Sequence, residues 1–264
     1  MTIDQPPAYP TSESFDNLFW DAFDWRHAFF VLFMITLVMF GDVLFTDSGR
    51  ILSAKGRDLY AGEFSGLDFV YRELRNGNLT LWNPHVFSGS SMLSTALYPP
   101  HFFHLLLPLA QAVNAGIALH VLLAGFFMYL WAAYRRLHPL ACLLTAVLLM
   151  FSGPYFMHVF AGHVGNLCAM TWAPLIFLAI DGMMDRSALK WALLGIFAVA
   201  MQMLTGQFQY VYYTAIAIVL YGGGRLFSIE KRKYVILGLL TIPAGSLLLT
   251  AFHVLPVLTA SQEG

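Results

Sequence analysis

The sequence predicts an all-α, polytopic integral membrane protein, and three observations predict it. Apolar residues gather in seven blocks of helical length instead of a globular pattern. Charged residues make up 11% of the chain and hydrophobic residues 58%, with a mean hydropathy of +0.66, against about 25% and about 45–50% in soluble domains. Outside one long loop, basic residues collect in alternate connections. The formal net charge of −1 offers no basic excess for nucleic acid.

Residues 1–26 are polar and acidic, with no basic n-region and no small-residue cleavage site, so no removable signal peptide is expected. Residues 1–27 read as a cytoplasmic tail and 28–264 as the membrane domain.

A bilayer core needs about 20 mostly apolar residues per helix. The candidate crossings are 28–46, 115–134, 139–159, 166–184, 188–205, 208–223 and 234–256. In the first, Asp42 costs about 2.5–3.5 kcal/mol at a helix centre, and Phe29, Phe30, Phe33, Phe40 and Phe45 each return roughly 0.3–0.6. Insertion wins, with Asp42 near the outer end. The fifth and sixth blocks are short, and Gly206-Gln207 joins them as a tight hairpin. The stretch 101–113 is apolar but too short to span, and Pro108 interrupts it, so an interfacial or re-entrant helix is expected. Gly222-Gly223-Gly224 reads as a cytoplasmic turn. Cys142 and Cys168, the only cysteines, sit inside apolar blocks without metal or redox spacing and read as small hydrophobes.

Arg135, Arg136, Arg186, Lys190, Arg225, Lys231, Arg232 and Lys233 lie in alternate connections, whereas 160–165 and 206–207 carry no Lys or Arg. The positive-inside rule makes the basic connections cytoplasmic and turns the loop 47–100 outward.

That loop is long, and long loops with internal structure are often functional. Residues 66–75 can form an amphipathic helix that Asn76-Gly77 ends. Trp82-Asn83-Pro84 and Tyr98-Pro99-Pro100 read as rigid turns at the membrane surface, with Trp82 and Tyr98 as interfacial anchors first and sugar-stacking platforms second. His101 and His104 are expected at the interface. Asp58 reads as a loop carboxylate, a helix cap or a general base. Asp68 and Glu63 read as loop charges. His158 and His163 face outward near one another, with helix-end hydrogen bonding favoured over a metal pair.

Asp58 precedes the run Gly77-x-Leu79-x-Leu81-Trp82-Asn83-Pro84, followed by Gly89 and Tyr98-Pro99-Pro100. In this order the residues resemble the first outer loop of YfhO-like proteins of the GT-C class, the polyprenyl-phosphate-dependent membrane glycosyltransferases. Leu119-His120 with Gly125 and Tyr129, Phe151-Ser152-Gly153, Gly162-His163 through Trp172-x-Pro174-Leu175, and Leu255-Pro256 extend the resemblance over roughly residues 40–264. Two departures stand out. Family members often carry Gly-His-Pro-Gln where this chain has Gly206-Gln207-Phe208-Gln209, and they usually continue through further helices and an outer C-terminal domain. The resemblance implies the N-terminal portion of a larger enzyme, or a chain that needs a C-terminal partner.

It also implies transfer of a sugar from a polyprenyl-phosphate donor to an acceptor hydroxyl on a cell-envelope polymer, lipid or protein, outside a bacterial cytoplasmic membrane. Asp58 is the general base by this match. Lys55, Arg57, Arg72 and His163 are candidates for the leaving phosphate, with Trp82, Asn83, Tyr98, Asn166 and Gln209 as further binding residues. Magnesium or manganese on Asp58 or Glu63 is compatible with this chemistry, but no ligand cluster is diagnostic and no metal is predicted. A transporter or flippase, or a non-catalytic membrane subunit, is the competing expectation.

Overall fold

The computed structural model describes residues 23–45, 49–79, 82–85, 89–91, 96–226 and 232–260. Of the expected cytoplasmic tail, residues 1–22 therefore lie outside the described residues.

Eleven helices of ordinary α geometry carry the described chain: α1 Trp25–Leu44, α2 Phe64–Arg75, α3 Leu109–Tyr134, α4 Pro139–Met150, α5 Gly153–Ala161, α6 Val164–Thr171, α7 Ala173–Arg186, α8 Leu189–Leu204, α9 Phe208–Leu226, α10 Arg232–Leu249 and α11 Ala251–Ala260. A π turn, Leu59–Glu63, leads into α2, and a 3-10 helix, Pro99–Leu105, precedes α3. Two antiparallel two-residue strands, β1 Trp82–Asn83 and β2 Ser90–Ser91, are the extended structure among the described residues.

Four helical stretches are long and apolar enough to cross a membrane: Trp25–Leu44, Leu109–Tyr134, Pro139–Ala161 and Val164–Arg186. The chain is thus an all-α membrane protein. Two of the four are helix pairs. Pro154 and Pro174 stand in the first turns of α5 and α7, where a missing N–H costs no helical bond, so the chain restarts there without losing direction. The shorter α8 rises about 24 Å, less than a bilayer core of about 30 Å, and Gly206, at φ +76°, turns the chain directly into α9.

The side-chain distribution fits lipid as solvent. Phe30, Val38, Leu148, Leu193, Val219 and Leu248 are exposed, while the buried set includes Asn114, His120, Asp181 and Gln202. Polar groups point inward, toward hydrogen-bond partners that hydrocarbon cannot supply. Helix α3 is the hub, packed against α1, α4, α6 and α7. Gly125 of α3 lies so close to α4 that a Cβ there would meet Met150.

Several boundaries differ from the sequence reading for identifiable reasons. Asp24 caps α1 by accepting from the backbone N–H groups of Arg26 and His27, so the helix starts at Trp25 and not at 28. Pro108 is the N-cap of α3, so the apolar stretch around it divides into a 3-10 turn and the first turn of a 26-residue helix. The Gly222–Gly224 run continues α9 and is no turn, because Gly222 lets that helix approach Met184. The amphipathic helix at 66–75 is present as α2, and Asn76-Gly77, with Gly77 at φ +82°, ends it.

Candidate functional site

The first loop begins under restraint. Asn114 of α3 is 1% exposed; its Oδ1 accepts from the Leu52 N–H at 2.9 Å and its Nδ2 donates to the Arg50 carbonyl at 2.8 Å. One buried amide thus satisfies a donor and an acceptor of a segment that has no helix or sheet of its own. Further on, the Ala54 N–H donates to the Phe160 carbonyl at 3.1 Å, tying the loop to the end of α5.

The corner between α5 and α6 meets this segment at Gly162. Its φ is +80°, and a Cβ there would stand 2.6 Å from the Leu59 nitrogen. Glycine therefore serves both the left-handed turn and the close approach. The next residue, His163, places its Nε2 2.7 Å from Asp58 Oδ2. Both side chains reach solvent.

Glu63 completes the acidic group. The backbone N–H groups of Val164 and Gly165, in the first turn of α6, face its carboxylate, the polarity expected for an anion at a helix N-terminus. Burial nevertheless raises the Glu63 pKa to about 7, the Asp58 charge pushing the same way and His163 opposing. The π turn accounts for this convergence. In an α-helix, residues five apart are about 140° apart around the axis. The i→i+5 bond from the Phe64 N–H to the Leu59 carbonyl widens the turn, and both carboxylates come to bear on His163.

Around this centre, Lys55 and Arg57 are exposed, and the Arg57 guanidinium lies 5.4 Å from the centre of the Phe160 ring. The His158 and His163 rings are 5.7 Å apart, and His158 Nε2 shares a 2.8 Å hydrogen bond with the Tyr210 hydroxyl. Gln209 Nε2 donates to Tyr213, whose ring meets Tyr210 edge-on. Asn166 is half-buried in the first turn of α6.

Three predicted residues stand elsewhere. Arg72 pairs with Asp68 at 3.0 Å on α2. Asn83 is buried beneath β1, next to an exposed Trp82. Tyr98 is fully buried, not at the surface: its hydroxyl bonds His120 Nε2 at 2.8 Å and accepts from Trp172 Nε1 at 2.8 Å. His120 Nδ1, 2.7 Å from the Gly116 carbonyl, holds the proton, so Nε2 accepts from Tyr98. His104 is likewise interior, stacked on Tyr71, and burial lowers its pKa to about 4. These imidazoles are neutral packing groups. Among the described residues, no three His, Cys, Asp or Glu side chains are arranged to hold a metal ion, so Asp58 and Glu63 lack the third ligand a divalent cation needs.

Two features escaped the sequence reading. Glu63 read as a loop charge because its partners are the backbone N–H groups of a helix some hundred residues away. Asp181 passed unnoticed inside an apolar block although it is a carboxylate in a span, itself a signal. It is fully buried, accepts from Trp131 Nε1 at 2.9 Å and Tyr221 at 2.7 Å, and pairs with Arg225 and, at 3.7 Å, with Arg135.

The fold and site define an all-α membrane protein with a carboxylate–histidine centre where its first loop docks on a helix corner. No family model, no curated protein and no solved structure matches the chain.

Proposed function

We propose that this chain is a membrane glycosyltransferase, or the N-terminal part of one, that moves a sugar from a polyprenyl-phosphate donor to an acceptor hydroxyl at the extracytoplasmic face. In this reading the four long helical stretches and α8, α9 and the α10–α11 pair make seven crossings. The ends carrying Arg135, Arg136, Arg186 and Arg225 face the cytoplasm by the positive-inside rule.

The contact between Asp58 and His163, 2.7 Å, is the observation that supports it. His163 Nε2–H donates to Asp58 Oδ2, which leaves Oδ1 free to take the acceptor's proton. The acceptor oxygen bonds the anomeric carbon as the carbon–oxygen bond to the phosphate breaks, and the electron pair stays on the phosphate. Lys55 and Arg57 stand beside Asp58 to meet that charge. Acceptors of this kind are cell-envelope polymers, lipids or proteins, and a C-terminal partner chain belongs to the same reading.

The test is Asp58→Asn in a membrane preparation that transfers sugar. Turnover should fall by about 10²–10⁴-fold, and a change within about twofold would refute the role.

A transporter or flippase is the second reading, supported by Asp181, a carboxylate buried within the Val164–Arg186 stretch beside Arg225. Solute uptake by reconstituted vesicles without any glycosyl transfer would select it.

A further inference from the structure

A second site lies along the outer loop, on the face of α2 that turns away from the core. Gly66, Leu67, Val70 and Tyr71 bury one side of that helix. Ser65, Asp68, Phe69 and Arg72 follow one another at i, i+3, i+4 and i+7, so they share the other. Together with Glu73, Asn83 and His85 they line a cavity of about 430 Å³, within the range of small-molecule sites.

Asn83 shows that the cavity is built to receive a ligand. The residue is 1% exposed, held by strand pairing of Trp82 with Ser91 and of Asn83 with Ser90. Its Oδ1 accepts from the His85 N–H at 2.9 Å in the turn around Pro84, which settles which end of the amide is which. The remaining Nδ2 is buried with no hydrogen-bond partner. A buried donor left unmade costs about 1–3 kcal/mol, so a ligand acceptor atom belongs beside it.

The other walls define the ligand's chemistry. Arg72 is already committed to Asp68 at 3.0 Å, and Asn78 Nδ2 donates to one Glu73 oxygen at 3.0 Å. Two carboxylates against one neutralised guanidinium disfavour a phosphate and leave acceptors in excess for hydroxyl donors. The Phe69 ring, with His85 edge-on at 5.5 Å, supplies an apolar surface among polar groups. Hydroxyl donors spaced around a ring with apolar C–H faces match that combination.

We propose that this cavity binds a carbohydrate through its ring hydroxyls, with Asn83 donating, Asp68 and Glu73 accepting, and Phe69 against a ring face. As the acceptor subsite of the transfer proposed above it rests on that reading, but the binding itself does not.

Saturation-transfer NMR on the purified full chain in deuterated detergent, with methyl glucoside and methyl N-acetylglucosaminide as probes, tests it. Transfer to ring protons of at least one glycoside is expected. Asn83→Leu and the rim variant Glu73→Gln should each weaken binding by about tenfold, and inorganic phosphate at matched ionic strength should not compete. No transfer to either glycoside, equal binding by the wild type and Glu73→Gln, or displacement by phosphate would overturn it. Asp58→Asn separates the two proposals: it should abolish sugar transfer and leave glycoside binding intact. Binding that persists while Asp58→Asn leaves transfer unaffected removes only the catalytic reading.

Discussion

Asp58 and His163 are 105 residues apart in the chain and 2.7 Å apart in space, and their contact ties the first loop to the corner between α5 and α6. Because Asp58 is exposed, a cysteine placed there should react with a membrane-impermeant thiol reagent added outside intact cells. The native Cys142 and Cys168 are buried and should stay silent. Labelling from the cytosolic side alone would reverse the proposed orientation.

Gly162 is the joint that makes this contact. At φ +80° with the Leu59 backbone 2.6 Å from a built Cβ, Gly162→Ala incurs both backbone strain and a clash that no rotamer relieves. A loss of about 1–3 kcal/mol is expected, read as a lower midpoint of thermal unfolding in detergent. The loop around Ala54 should also become more protease-sensitive, and unchanged unfolding and cleavage would show that the close approach is unimportant.

Glu63 gives the site a pH dependence. Its pKa rises from 4.5 to about 7 on folding, so the folded state holds a proton that the unfolded chain releases. Its contribution is therefore fully present below pH 4.5 and lost as pH rises through about 7, a change worth roughly 3 kcal/mol. Wild-type stability should fall across that window, and Glu63→Gln, permanently neutral, should flatten the fall. Parallel profiles for the two proteins would contradict this.

Asp181 and Arg225 form a buried pair whose members cannot be removed singly. Arg225→Leu leaves the Asp181 charge with only Arg135, at 3.7 Å, and should cost about 3–5 kcal/mol. The double replacement Asp181→Leu with Arg225→Leu should recover much of that loss, because it removes the stranded charge. A double variant as unstable as the sum of both singles would show that the two residues act independently.

Much of this architecture is legible from periodicity and composition. An apolar run of twenty residues reports its own burial in lipid whatever its neighbours do, so α1 and the helices around α3 were readable. Local chemistry also placed the end of α2 at Asn76-Gly77. Where two helices meet head to tail, as at Ser152 and Trp172, the runs of hydropathy are continuous and hide the break. The reading of Pro108 erred similarly, since a proline interrupts a helix or begins one depending on which side the chain packs.

The sequence by itself determined a membrane-embedded, all-helical chain and singled out Asp58 as a carboxylate in a structured loop, because hydropathy and helix-stop chemistry act over a few neighbouring residues. Only the tertiary structure decided which groups Asp58 and Glu63 face. The π turn, the left-handed Gly162 and the Asn114 clamp join segments a hundred or sixty residues apart, and no local pattern encodes a partner at that separation. The same holds for Asp181, whose place in an apolar span becomes tolerable only once Arg225, Tyr221 and Trp131 close around it.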